Sequence, residues 1–416
     1  MTLTRVNNTG GPIFDFYGNI VFPGAVYETD KEPPPARSIT SKGMNSARGN
    51  LVSALGDSIT ANNGDGLRRL CKGYLNWAGI LSDNRFRIAP HFATPGFTTE
   101  RILNESLPAL LNSGIKPNYC VVLGGTNDIG NALPIPTITA NLTEIYNRLI
   151  ANNIIPIVAT TPPRDGASNF QLGNILKLNA WIRRNAADRG FALCDFHRVL
   201  TDPSTANFRT GYASDQIHPN SLGAKIMGQE VARAISQLMA PCDPSLSITA
   251  NDPVNLITNP LFMTDTNADG LPDGWTMAAS NGATTALEDP TPNDGIVGKW
   301  FKVTRASAGA NTTIRVSGIS SVNPSDKIGM GFRFKSVLEA GAGKFGIYVY
   351  KDKDASTLAM APLYDWDRDT DPHTWYGEFV VPSGVTSLQL DLSFGGVGSF
   401  SLAQMTMRNL TTSGIS

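Results

Sequence analysis

The chain has 416 residues, which at roughly 150 residues per domain excludes one small module and leaves room for two or three domains. Hydrophobic residues make up 41% and charged residues 17%, enough apolar side chain for sizeable cores and unlike a disordered chain. Lys plus Arg number 34 and Asp plus Glu 35, a net charge of −1, so no overall positive field attracts a phosphate backbone and nucleic acid is not an expected partner.

Residues 1–48 carry Gly10-Gly11, a short aromatic and β-branched run over 13–22, and Pro33-Pro34-Pro35. Fixed proline φ angles favour a stiff, extended segment, so this stretch reads as an N-terminal arm or linker. The first residues show no apolar stretch of signal-peptide length, and nowhere is there an apolar run near ~20 residues. Neither an export signal nor a membrane span is expected.

Over 49–241, short β-like runs alternate with helical patterns. The runs NLVSALG, FRIAP, NYCVVLGG, IIPIVATT and FALCDF are each followed by a segment with apolar residues at three- and four-residue steps. Five βα units predict a parallel sheet covered by helices on both faces, a three-layer α/β/α domain. From 242 to 416 the pattern changes to short segments of alternating polarity, such as KWFKVTRAS, GKFGIYVYKD and TWYGEFVVPS, separated by Gly, Pro and Asn. That pattern predicts a β-sandwich. Cys71, Cys120, Cys194 and Cys242 form no CxxC, which excludes a zinc knuckle and a dense disulfide framework.

In an open parallel sheet, reactive groups gather beyond the carboxyl ends of the strands. The first strand ends in Gly56-Asp57-Ser58-Ile59 and the second runs on to Thr94-Pro95-Gly96. The third ends in Gly125-Thr126-Asn127-Asp128, and the loop after the fifth holds Asp215-Gln216-Ile217-His218-Pro219. A serine hydroxyl is a poor nucleophile unless a neighbouring base takes its proton. His218 is the natural base for Ser58, and Asp215, three residues earlier, can fix the imidazole's tautomer and orientation. No G-x-S-x-G occurs, which disfavours the nucleophile elbow of α/β-hydrolases.

These four blocks, in this order over roughly residues 50–240, resemble the SGNH or GDSL-type hydrolases. Ile59 stands where many members have Leu, and Gly96 lacks a longer glycine pattern; neither touches a reacting atom. The resemblance implies a flavodoxin-like fold, a Ser58–His218–Asp215 triad working through an acyl-enzyme, and an oxyanion hole made by the Ser58 amide, the Gly96 amide and the Asn127 side chain. Asp57 and Asp128 are assigned to loop shaping. His91, His197 and His373 have no spaced partners for a metal site, so no cofactor or catalytic metal is expected.

Asp265, Asn267, Asp269 and Asp273 surround Gly270 with the spacing of calcium-loop positions one, three, five and nine. Position twelve is Thr276, which excludes a complete EF-hand; the run also resembles the Asp-rich loops of thrombospondin type-3 repeats. Structural calcium and a metal-free turn both remain open. Residues 255–262 with Pro272-Asp273-Gly274-Trp275, and the closing segment 399–410, resemble jelly-roll carbohydrate-binding modules. Trp300, Tyr348, Tyr350, Tyr364, Trp366, Trp375 and Tyr376 are candidates for stacking on sugar rings, with core packing as the alternative.

The combined expectation is a serine esterase that removes acyl groups, O-acetyl foremost, from a cell-surface polysaccharide. The expected setting is extracellular or on a virion, as a phage tail spike or fibre, with a homotrimer and virion attachment as partners. The competing readings are a lipase, thioesterase or arylesterase of the same family, and a catalytically idle glycan-binding adhesin.

Overall fold

The computed structural model describes residues 49–240, 245–339, 343–352 and 354–412, together with four short strands before residue 30. Of these strands, Leu3–Val6 pairs antiparallel with Val26–Thr29, and Ile13–Phe14 with Ile20–Val21. The proline run at 33–35 and Cys242 lie outside the described residues. The chain divides into two compact units, one of residues 1–62, 72–78 and 88–239 and the other of 63–71, 79–87 and 240–416. Two short segments that precede residue 88 in the chain thus group with the C-terminal strands.

The first unit is an α/β/α sheet domain. Strands β1 (Leu51–Gly56), β3 (Phe92–Ala93), β4 (Tyr119–Val122), β5 (Ile155–Ala159) and β6 (Ala192–Cys194) pair in parallel in the spatial order β6-β5-β4-β1-β3. Val52, Ala54, Leu55, Cys120, Val121 and Val122 are almost wholly buried, as strands covered on both faces require. Chain order reverses between β1 and β4, the switch point where such sheets place their sites. Helices α4 (Ile135–Ala151), α5 (Asn169–Arg189) and α6 (Ser221–Ile235) follow β4, β5 and β6 in the chain. Helix α4 buries Ile138, Leu142, Ile145 and Leu149, the three- and four-residue steps of an amphipathic helix. Helix α5 opens with a capping box between Ser168 and Gln171 and ends on Gly190 at φ 69°, a left-handed stop that glycine adopts without penalty.

The second unit is a sandwich of two mostly antiparallel sheets. One has the order β7 (Thr276–Ala279), β10 (Thr312–Ile319), β15 (Leu388–Phe394), β12 (Phe345–Lys351), β13 (Asp354–Trp366) and β2 (Arg68–Leu70). The other runs β8 (Ala283–Glu288), β9 (Trp300–Arg305), β16 (Gly398–Asn409), β11 (Lys327–Leu338) and β14 (Thr370–Val380). Its core is aromatic: Phe345 of β12 stacks on Phe400 of β16 at 4.9 Å, and Phe334 of β11 meets Trp366 of β13 edge-on at 5.9 Å.

Two sequence expectations need correction, and the Asp-rich loop can be described in atoms. The helical pattern over 66–82 is interrupted: Arg68–Leu70 is strand β2, parallel to β13, and the helix is only α2 (Tyr74–Leu81). Gly73 separates the two, and the backbone of β2 is satisfied by the sheet, with Ala361 N–H donating to Leu67 O and Cys71 N–H to Tyr364 O.

Trp300, Trp366 and Trp375 are 1%, 0% and 5% exposed, so they are core residues and cannot stack on a ligand. Cavity filling won over display because an indole's large apolar surface is best buried when its N–H finds a partner. Trp300 donates to Asp294 and Trp366 to Thr370.

The Asp-rich loop turns its oxygens on its own backbone. Asp265 accepts from the amides of Asp269 and Gly270, Asp273 from the amide and hydroxyl of Thr266, and Asn267 donates to Asp269. Among the described residues no three carboxylates, thiolates or imidazoles gather as a metal-binding group. The loop is closed by these hydrogen bonds.

Candidate active site

Strand β1 stops at Gly56, where a side chain would collide: an added Cβ would lie 2.2 Å from Thr60 Oγ1 and 2.9 Å from Leu123 O. That close approach lets the chain turn at once into the four-residue helix α1 (Ser58–Ala61), capped by Asp57, whose Oδ1 accepts from Ile59 N at 3.0 Å. Ser58 is the first helical residue, so its N–H has no intrahelical acceptor.

Ser58 Oγ lies 2.8 Å from His218 Nε2. On the other side of the ring, His218 Nδ1 is 2.8 Å from Asp215 Oδ2 and 3.1 Å from Oδ1. The structure thus brings together three residues that span 160 positions between Ser58 and His218. The carboxylate's Oδ1 also accepts from the backbone amides of Ile217 and His218, at 2.7 and 2.8 Å. Partial burial, which would raise the Asp215 pKa, is outweighed by these amides and the imidazole, leaving it at about 2. Asp215 therefore stays charged at neutral pH and can hold one ring nitrogen as N–H.

The loop bearing Asp215 and His218 is locally fixed. Ser214 N donates to His218 O at 2.9 Å, and Asn220 Nδ2 donates to Gly211 O and Ala213 O while its Oδ1 caps α6 through the amides of Leu222 and Gly223. Asn220 is a contributor the sequence reading passed over, although an Asn directly before an apolar-periodic helix is an N-cap signature.

The expected oxyanion donors come from two neighbouring loops. Thr94-Pro95-Gly96-Phe97 closes as a turn, with Phe97 N donating to Thr94 O at 3.2 Å and Gly96 at φ 81°. A proline then a left-handed glycine is the type II pattern. Gly96 is exposed, and an added Cβ would have no atom within 4 Å, so glycine is required there by φ and not by space. Among the described residues no hydrogen bond uses the Gly96 N–H. Asn127, in α3 (Thr126–Gly130) after β4, donates one Nδ2 hydrogen to Phe97 O at 2.9 Å. That bond ties Asn127 to the Gly96 turn and leaves the amide's second hydrogen for a ligand. Asp128 accepts from the Thr99 amide and hydroxyl, at 2.5–3.1 Å, a loop-shaping contact.

Asp57 does more than shape a loop. It is fully buried, and its Oδ2 has no hydrogen-bond partner among the described residues. Desolvation lifts its pKa from 3.8 to about 6, against the Ile59 amide and the His218 charge, which lower it. A trough of about 590 Å³ is lined by Asp215 and by Asp165, Asn207, Phe208, Arg209 and Gln216, among others; polar side chains dominate its wall. His197 is buried with burial holding its pKa down at about 4; it lies on the helix Phe196–Leu200, outside the triad.

The match of residues 54–226 to the model of the GDSL-like lipase/acylhydrolase family coincides with this sheet and these loops. Residues 54–226 are a GDSL-like lipase/acylhydrolase domain. The chain carrying the GDSL domain also aligns with solved structures. One is an α/β hydrolase from the metagenome of Lake Arreo, Spain, at 22% identity and TM-score 0.37, covering 48% of this chain and 100% of that one. Another is a GDSL-like lipase from Bacteroides thetaiotaomicron, at 19% and 0.37, covering 46% and 89%. A third is an acetyl xylan esterase, at 18% and 0.37, covering 44% and 99%. Among curated proteins, nothing matches the chain. Among the described residues, no helix is long and apolar enough to cross a membrane.

Proposed function

We propose that the GDSL domain is a serine esterase that removes O-acetyl groups from a polysaccharide, with Ser58 as nucleophile, His218 as general base and acid, and Asp215 orienting the imidazole. The observation that carries this reading is the continuous relay from Ser58 Oγ through His218 to Asp215, with both links at 2.8 Å.

In the proposed reaction Ser58 Oγ attacks the acetyl carbonyl carbon as His218 Nε2 takes its proton. The oxyanion is held by the amides of Ser58 and Gly96 and the free hydrogen of Asn127 Nδ2. Collapse of the intermediate breaks the bond to the sugar oxygen, which receives the proton from His218. Water, deprotonated by the same histidine, then attacks the acetyl-serine and releases acetate.

In this reading the alcohol portion of the ester runs along the polar trough that Asp215 lines, where Asp165, Asn207, Arg209 and Gln216 suit a hydroxyl-rich group better than hydrocarbon, which would strip them of water without replacement partners. This supports a glycan ester over a lipid or long-chain thioester. The test is acetate release from O-acetylated polysaccharide by wild type and Ser58→Ala. Release that the substitution abolishes supports the reading. Turnover of p-nitrophenyl palmitate with no release from glycan would replace it with the lipase reading.

A further inference from the structure

The buried tryptophans leave a different aromatic group at the surface of the sandwich. Along β12, Phe345, Ile347 and Val349 are buried, while Tyr348 and Tyr350 alternate onto the opposite, half-buried face. Their rings are nearly parallel, 5.9 Å apart at 18°, and Tyr364 of β13 meets Tyr348 edge-on at 5.8 Å. The Arg68 guanidinium of β2 lies 5.7 Å from the centre of the Tyr364 ring. Tyr348 lies back over Gly346, where an added Cβ would sit 2.3 Å from its hydroxyl and 2.5 Å from Cζ. Glycine at 346 is what allows the ring to lie along the strand.

Where the ring lies back, it meets a cavity of about 310 Å³ lined by Tyr348, Lys344, Asp365, Asn311 and Ser393. The remaining wall includes backbone at residues 309, 343 and 395, all glycine, so main-chain groups stand close to any occupant. Asp365 holds a left-handed φ of 55°, uncommon outside glycine, and pairs with Lys344 Nζ at 2.9 Å.

Charges across this face are matched in pairs. Arg315 binds Asp391 through two bonds of 2.8 and 2.7 Å, and Asp391 stands opposite Tyr348 in the sheet register. With Asp365 offset by Lys344, the two charged side chains that line the cavity are paired with each other. What remains is an aromatic platform beside a mixed set of donors and acceptors, which fits an uncharged ligand with an apolar C–H face and a rim of hydroxyls.

We propose that the cavity and the tyrosine face beside it form a binding site for neutral pyranose units of a polysaccharide, with Tyr348 as the stacking platform and Asp365, Lys344 and Asn311 as hydroxyl partners. The choice of a polysaccharide rests on the esterase reading above, but binding here needs no turnover at Ser58.

The test uses the full chain with Ser58→Ala, so that binding is read without cleavage, in affinity electrophoresis against acetylated glucomannan, acetylated xylan and their deacetylated forms. The background protein is expected to be retarded by at least one of these glycans. Tyr348→Ala is expected to weaken that binding about tenfold, near 1.4 kcal/mol, and Tyr348→Phe to retain it. Near-ultraviolet circular dichroism and the melting temperature establish that each variant is folded. Asn311→Ala, at an exposed position, supplies a second variant and should weaken binding several-fold. Equal retardation of the Tyr348→Ala and background proteins would overturn the proposal, as would no retardation by any of the glycans. Failure of the esterase reading is a separate result: glycan binding intact, with no acetate released by the unmodified protein.

Discussion

The two units of this chain differ in where chemistry can be read. In the GDSL domain the reactive groups stand at strand ends, where a few turn residues announce both the bend and the side chain that follows it. In the sandwich, candidate ligand groups stand on strand faces, where alternating polarity says which residues share a face but not which face meets water. Tyr348 and Trp375 look alike in the sequence as aromatics in β-runs, yet one is half-buried and the other is only 5% exposed. Candidates at the strand ends can therefore be named residue by residue from the sequence, whereas the aromatic faces await the packing.

Several substitutions can break or sharpen that contrast, starting with the largest expected effect. Ser58→Ala or His218→Ala should lower kcat on p-nitrophenyl acetate by roughly 10⁴-fold or more, as in other serine triads. Asn127→Ala should cost about 10²–10³ in kcat with little change in KM, the mark of a donor used in the transition state. An unchanged kcat in Asn127→Ala would remove it from the oxyanion hole.

A second group concerns folding. Truncation after Met239 leaves Arg68–Leu70 without the sheet to which β2 pairs, while Arg69 and Cys71 are buried in the intact chain. Such a chain should be poorly soluble or melt well below the full protein in calorimetry. Gly56→Ala should destabilise by about 1–3 kcal/mol through overpacking against Thr60 and Leu123, read as a shift in the denaturant midpoint.

Asp57 gives a pH signature. Its folded pKa, about 6, lies above the ordinary 3.8, so the folded state binds this proton more tightly than the unfolded one. Stability from this group is full below pH 3.8, is lost as pH rises toward about 6, and stays lost above that, a change of about 3 kcal/mol. Asp57→Asn, which keeps an acceptor for the Ile59 amide, should therefore gain stability relative to wild type at pH 8 but not at pH 3.5. Parallel urea curves at the two pH values check the sign. The smallest effect is expected from chelator, which should leave the melting temperature unchanged because the Asp265–Asp273 loop is closed on its own amides.

Much of the fold was legible from periodicity. Five βα units and the later change to alternating strands follow from apolar spacing, and the parallel order places Ser58, Gly96 and Asn127 on loops around one switch point. The less legible parts are those decided by contacts distant in sequence. Residues 68–70 carry a helical pattern with their neighbours, but pairing with β13, almost 300 residues later, makes them a strand. The burial of Asp57 depends on how tightly α1 turns over Gly56, which the tripeptide alone does not reveal.

The most direct test of the central claim is covalent. Incubation with a fluorophosphonate followed by peptide mass spectrometry should give one adduct per chain, on Ser58, formed rapidly by the wild type and at least 100-fold more slowly by His218→Ala, about 2.7 kcal/mol in barrier. An adduct on another residue, or a Ser58 adduct formed equally fast without His218, would contradict a Ser58 nucleophile activated by this relay.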